Sequence, residues 1–230
     1  MSRFFSRPLF ILGLPRSGTS MVAGILKKNG FWCGSTLNGD GNNPKGYFEH
    51  KVVREQIIKP MLTAMDCDPL GVRRLPDLDA LESQPKLKRR LYEVLKSDGY
   101  RDQRPWLYKD AKLTLLWPLF REAFPEARWL IVKRDVDSFV GSCLRTSFMR
   151  QHSSDPEFWR AFADAYHQRI EALKSEADQI YEVYTPDFFS GDYTALESLS
   201  VDFGIEFDTK KAAKFVEGDH WHGNIAEQHR

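Results

Sequence analysis

The feature that most constrains this chain is the segment Gly13-Leu-Pro-Arg-Ser-Gly-Thr-Ser20, set directly after the apolar run Pro8 to Gly13. A short, unbroken apolar run fits a parallel strand buried on both faces. The run and the segment together have the layout of a phosphate-cradling loop: strand, glycine, four residues, glycine, then the hydroxyls Thr19 and Ser20 opening a helix. The glycines let the backbone wrap an anion, and free N–H groups with the helix dipole supply donors. Kinases and ATPases place a Lys just before the hydroxyl residue. Here that position is Thr19, and the cation stands three residues earlier as Arg16. That Lys spans the β- and γ-phosphates, so without it a triphosphate loses its main counter-charge, while a shorter 5′-phosphate still fills the loop.

The rest of the chain alternates strands with helices. Residues 17–28 read as a helix with Met21, Val22, Ile25 and Leu26 on one stripe, ended by Asn29-Gly30. Phe31 to Cys33 reads as a short second strand, and residues 34–46, rich in Gly and Asn, as a loop. Residues 52–65 look helical apart from Pro60, which is expected to kink or break the helix. A charged helix is expected over residues 85–97. Strands are expected at Trp106–Tyr108, Arg128–Lys133 and Ile180–Tyr184, with helices over 113–124, from Asp135, over 156–177, 193–201 and 208–216. This pattern predicts an α/β fold, a three-layer α/β/α sandwich around a parallel sheet of about five strands. At 230 residues the chain is expected to form one domain, 1–230, with a variable helical insertion at about 60–104. In such sheets ligands sit at the carboxyl ends of the strands.

Composition narrows the partners. With 33 Lys and Arg against 32 Asp and Glu the net charge is +1, which gives no reason to expect nucleic acid or an acidic membrane. No apolar run approaches the roughly 18 residues a membrane span needs, and residues 9–14 are too short for a signal core. Cys33, Cys67 and Cys143 share no metal-ligand spacing, and three thiols suit a reducing compartment. A cytoplasmic protein with no membrane anchor and no metal is therefore expected. The tail at His220-Trp-His-Gly223 also lacks metal spacing and reads as surface.

A second anion site is suggested where Arg134 closes the strand 128–133 and Ser142 lies in the next helix. Ser138, Ser142 and Arg145 share one face of that helix, opposite its apolar stripe. An Arg fork and a hydroxyl converging near a helix N-terminus suit a phosphate. Two phosphate sites on neighbouring strand ends suit a nucleotide phosphorylated at both its 5′ and 3′ positions.

These segments resemble the sulfotransferase family. Pro15-Arg-Ser-Gly-Thr-Ser20 is similar to the family's 5′-phosphosulfate loop, and Arg134-Asp-x6-Ser142 to its 3′-phosphate motif. Asn43-Pro-Lys-Gly-Tyr-Phe-Glu49 is similar to a bacterial segment whose Glu acts as base, and Lys109-Asp110 to a short motif whose Lys stabilises the moving sulfuryl group. The resemblance implies that 3′-phosphoadenosine-5′-phosphosulfate (PAPS) is the donor and 3′-phosphoadenosine-5′-phosphate (PAP) the product. Arg16, Ser17, Gly18, Thr19 and Ser20 would hold the 5′ end, Arg134 and Ser142 the 3′-phosphate, and Tyr184 would lie near the adenine. Glu49, Lys109 and Arg16 would be catalytic, and the acceptor a small molecule or glycan offering a hydroxyl or amine.

Two departures matter. The family's Lys-Asp-Pro-Arg is Lys-Asp-Ala-Lys here, leaving open whether Lys112 replaces the Arg, and the residues after Tyr184 are Thr-Pro-Asp. A carboxylate such as Glu49 serves as base if partial burial brings its pKa toward neutrality; His50, which titrates near neutrality unaided, is the substitute. The other enzymatic reading is a Mg-ATP-dependent small-molecule kinase, in which Asp110 would hold the metal at a strand end. A non-catalytic sensor of PAP is the third.

Overall fold

The structure, a computed structural model, describes residues 7–102 and 104–217. Strand β1 (Leu9–Gly13) leads through the loop into α1 (Thr19–Lys28). After the long loop come α2 (Lys51–Val53), a π-helical turn (Arg54–Ile58) and α3 (Lys59–Ala64). Next are α4 (Leu87–Ser97), β2 (Leu107–Lys109), α5 (Leu113–Ala123) and β3 (Arg128–Lys133). The chain continues through α6 (Val136–Arg145), α7 (Ser147–Arg150), α8 (Pro156–Glu176) and β4 (Ile180–Tyr184). A 3-10 turn (Thr185–Ser190), α9 (Thr194–Asp202) and α10 (Thr209–Glu217) complete the described residues; the His220–Gly223 tail lies outside them.

The described strands form one parallel sheet in the order β2-β1-β3-β4. Alternate residues feed two cores, as strands buried on both faces require. Phe10, Leu12, Trp129 and Ile131 pack with residues of α4, α5 and α8, and Leu9, Ile11, Leu130 and Val132 with residues of α1, α9 and α10. Phe10 is the hub of the first core, with the rings of Phe120, Phe124, Trp106 and Trp129 5.1–6.0 Å from its own.

The sheet has four strands rather than about five. Phe31–Cys33 contributes a single parallel bridge, Trp32 to Trp106, beside β2. Its backbone gives Trp32 N–H to the Pro105 carbonyl and takes Leu107 N–H, each at 2.8 Å. Gly30 (φ +109°) and Gly34 (φ +63°) turn the chain on either side, so only the middle residue lies in register.

Pro60 neither breaks nor ends its helix. The chain widens into the π turn ahead of it, and Arg90 Nη2 donates at 3.1 Å to the Gln56 carbonyl, the acceptor that residue 60's missing N–H would have served. Asp135 caps α6 as expected, its carboxylate accepting from Ser138 N–H at 2.8 Å. No described helix is long and apolar enough to cross a membrane.

From β1 the chain runs to β2 on one side and later to β3 and β4 on the other. The carboxyl ends of β1 and β3 therefore flank a topological switch point, where open α/β sheets leave a crevice.

Candidate active site

Strand β1 ends at Gly13, where a Cβ would lie 2.5 Å from the Val132 carbonyl oxygen, so only glycine lets the chain leave the sheet this close to β3. Gly18, at φ +94°, caps α1, and a Cβ there would meet Thr185 Cγ2 at 2.6 Å. Between them Arg16 adopts φ +65°, a left-handed conformation that costs a non-glycine residue on the order of 1–3 kcal/mol unless its surroundings enforce it. Its surroundings do. Arg134 Nη1 donates to the Arg16 carbonyl at 2.6 Å, and Arg16 Nε and Nη1 reach Ser142 Oγ and the Asn42 carbonyl, each at 3.4 Å. Thr185 Oγ1 donates to the Ser17 carbonyl at 3.1 Å. Loop carbonyls are thus held by side chains outside the loop, and no side chain of the Gly18 cap covers the first-turn amides of α1. The Ser17 hydroxyl is buried and makes no hydrogen bond.

The second predicted site converges on the first. Arg134 and Ser142 are both buried, and Ser142 is bridged to Arg16. Burial, then the positive charges of Arg16 and Arg145, hold the Arg134 pKa down at about 10. Three guanidinium groups repelling one another at a strand end form a site whose charge an anion would relieve. Ser138 is exposed and stays on the solvent side of α6.

The segment before Glu49 is fastened at both ends. The Asp40 carboxylate accepts from the amides of Asn42 and Asn43 and from Tyr47 OH, and the Tyr47 carbonyl accepts from Ser20 Oγ at 3.0 Å and Lys109 Nζ at 3.1 Å. Lys109 Nζ also donates to Ser20 Oγ at 3.2 Å and to Glu49 Oε1 at 3.0 Å, so one buried ammonium joins the loop, this segment and β2. The other Glu49 oxygen, Oε2, lies 2.9 Å from Arg54 Nε.

These cations reverse one expectation. Burial alone would raise the Glu49 pKa, but Lys109, Lys112 and Arg54 outweigh it and hold the group down at about 2. The carboxylate is therefore firmly ionised and is not moved toward neutrality. His50 is committed elsewhere: its Nδ1 accepts from Val53 N–H at 3.4 Å, its Nε2 lies 3.1 Å from Asp98 Oδ2, and burial lowers its pKa.

Asp110 is fully buried and accepts from Tyr108 OH, Lys112 N–H and Lys112 Nζ at 2.9, 2.9 and 2.7 Å. Three donors already engage the carboxylate that the kinase reading would give to a metal, two of them from Lys112. Tyr184 ends β4 and is 38 % exposed; the contact with the loop is made by its neighbour Thr185, which is fully buried. Sequence reasoning missed Thr185 and Arg54. Arg54 has no readable signal, since five residues from Glu49 is not an α-helical spacing and the π turn that positions it leaves no pattern.

The chain belongs to the sulfotransferase family, whose family model matches residues 8–209. It is a transferase by that membership. Among solved structures it is similar to the sulfotransferase domain from the curacin biosynthetic pathway, at 14% identity and TM-score 0.59, covering 95% of this chain and 81% of that one. The sulfotransferase domain of the Synechococcus PCC 7002 olefin synthase matches at 15% identity and TM-score 0.58, covering 93% and 79%. A sulfotransferase of Mycobacterium avium matches at 14% and 0.53, covering 92% and 67%. At these identities the likeness is one of fold. No curated protein matches the chain.

Proposed function

We propose that this protein transfers a sulfuryl group from PAPS to a hydroxyl or amine of a small-molecule or glycan acceptor, releasing PAP. The observation that carries the reading is the meeting of Arg16, Arg134 and Ser142 at the ends of β1 and β3, beside the uncapped N-terminus of α1. A donor phosphorylated at both ends fits that set: residues 16–20 hold its 5′ end, Arg134 and Ser142 its 3′-phosphate, and Tyr184 lies on the adenine side. PAPS, when bound, supplies an activated sulfuryl group.

Glu49 is the group that takes the acceptor's proton, at whichever carboxylate oxygen its cations give up. With both oxygens held it is a weak base, so proton transfer requires Lys109 or Arg54 to withdraw. Lys109 keeps its bonds to Ser20 and the Tyr47 carbonyl if it lets go, and so stays beside the loop. There it and Arg16 offset negative charge as it develops, the positioning and electrostatic strategy of group transfer. The reaction is assigned to the cytoplasm, a reducing compartment that suits the three thiols.

Calorimetry with PAP and with ATP tests the donor class. PAP binding in the micromolar range with chelator present is the expected result, together with transfer of label from PAPS to members of a hydroxyl and amine panel. Absence of PAP binding, with ATP turnover that needs Mg²⁺, overturns the proposal in favour of the kinase. Tight PAP binding and no transfer across the panel, unchanged by Glu49→Ala, points to the sensor.

A further inference from the structure

Phe48, one residue before Glu49, has φ +57°. For an aromatic residue this is an outlier that the surrounding structure must enforce, and such outliers gather at functional sites. Backbone bonds hold its neighbours, Tyr47 N–H to the Leu37 carbonyl at 3.3 Å and Leu37 N–H to the Glu49 carbonyl at 2.9 Å, and helix α10 packs on its side chain. The Phe215 ring meets Phe48 edge to face, with centroids 6.0 Å apart. Both rings press on Gly24 of α1, where a Cβ would stand 2.2 Å from Phe215 Cζ and 3.0 Å from Phe48 Cζ. Lys45, in the same segment as Glu49, sets its Nζ 4.5 Å from the centre of the Phe215 ring and donates to the Phe215 carbonyl. Lys27 covers the Phe48 ring at 5.7 Å. The start of α10 is tied down as well, since Asp208 N–H donates to Asn29 Oδ1 at 2.7 Å. The family match ends at residue 209, where α10 begins, so this helix lies outside the part of the chain that the family model covers.

We propose that α10 is a working part of the active site: Phe215, seated over Gly24, holds Phe48 in its left-handed conformation and thereby aims the Glu49 carboxylate at Lys109 and Arg54. The inference takes from the proposed function only that Glu49 belongs to the active site, and Phe215 acts as a positioning residue. The groups that face Glu49 are Lys109, Lys112, Asp110 and Tyr108 from β2 and the residues after it, Arg54 from the π turn, and Ser20 and Tyr47 at the loop. None of them belongs to α10, so α10 reaches Glu49 through the segment that carries it, at Phe48 and at Lys45.

The test reads the carboxylate itself. In the full chain labelled with ¹³C at the Glu side-chain carboxyls, the Glu49 signal, assigned by its loss in Glu49→Gln, is titrated in the parent, Phe215→Ala, Phe215→Leu and Gly24→Ala proteins. The parent signal is expected to stay ionised down to about pH 3. Phe215→Ala and Gly24→Ala are each expected to raise the midpoint by about one pH unit or more, toward the ordinary Glu range. Phe215→Leu, which restores most of the volume, is expected to raise it less. PAP affinity should stay within about threefold in all of them, because Arg16, Arg134 and Ser142 are untouched. Gly24→Ala keeps Phe215 in the chain, presses chiefly on its ring and more lightly on that of Phe48, and suits a helix interior, so with Phe215→Leu it keeps the test open if Phe215→Ala fails to fold. A Glu49 midpoint unchanged in the folded variants, with only thermal stability lowered, overturns the proposal and makes α10 a packing element. Full turnover in Glu49→Gln overturns the base assignment alone, since it leaves this titration as it is.

Discussion

The two halves of the strand-end face, one at β1 and β3 and the other at β2, are built on opposite electrostatic plans. At the ends of β1 and β3, Arg16, Arg134 and Arg145 crowd together, and their mutual repulsion adds to burial in pulling the Arg134 pKa down to about 10. At the end of β2 every cation has an anion at hand: Lys109 and Arg54 share Glu49, and Lys112 sits on Asp110. On the first side Asp135 and Asp40 offset part of the charge, and the cations left in excess make this the side suited to an anion on the proposed reading. Matched pairs are complete without a ligand and must be opened to act, which on the proposed reading makes the second the reacting side. Substitutions on one side should therefore change affinity, and on the other turnover.

The sharpest test of that division is Glu49→Gln. Gln still accepts from Lys109, so the fold should survive, but it cannot take a proton. Turnover from PAPS is expected to fall by about 10²- to 10⁴-fold, the usual worth of a general base. PAP affinity by calorimetry should move less than about threefold. An equal loss in both would erase the distinction between the sides.

Arg134→Met probes the other side. It removes a buried guanidinium and the bond that holds the Arg16 carbonyl. Hydrogen bonds to charged groups contribute about 1.5–3 kcal/mol each, so PAP affinity should drop roughly 100-fold. Arg134→Lys should recover only part of it, because a point charge cannot serve the loop carbonyl and a phosphate in the same fork geometry. If affinity survives, the 3′-phosphate lies elsewhere.

Legibility in the sequence divides along the same line. The arrangement at the ends of β1 and β3 was legible because its cues are local: an apolar run, two glycines at fixed spacing, an Arg at a strand end and a Ser in the helix that follows. Its hidden member, Thr185, shows no signal because its contact with Gly18 spans the sheet. On the reacting side Glu49 and Lys109 were named through resemblance, while their pairing across sixty positions, and the pKa it imposes, belong to tertiary structure. Pro60 announced a disturbance but not its form; the π turn that brings Arg54 to Glu49 is one of several ways a helix can absorb a proline. Phe31–Cys33 had the composition of a strand, yet the glycines around it left one residue to pair.

Arg54→Met asks how far the reacting side depends on its second cation. The Glu49 pKa of about 2 lies below its ordinary 4.5, so the stability its pairing contributes is complete above pH 4.5 and lost as pH falls toward 2. Removing Arg54 lets the pKa climb toward 4.5 while Lys109 remains. The acid limb of the kcat/KM profile should move up by about one pH unit, with turnover near neutral pH changed less than about fivefold. A profile that does not move would leave Lys109 and Lys112 as the cations that set the ionisation of Glu49.

The smallest effect expected is that of Thr185→Val, which tests whether the binding side is preformed or shaped by its ligand. Valine keeps the methyl that lies against Gly18 and loses the hydroxyl that donates to the Ser17 carbonyl. A carbonyl left without a partner costs about 1–3 kcal/mol, which for a chain of this size lowers Tm by roughly 2–12 °C. If the loop holds its shape through Arg134 and the two glycines, most of that cost falls equally on the free and the bound protein. PAP affinity then drops only about two- to fivefold, and Thr185→Ser, which keeps the hydroxyl, leaves it unchanged. A loss as large as that of Arg134→Met would mean that Thr185 and Arg134 hold the loop as one unit, so that the crowded arginines alone do not account for binding.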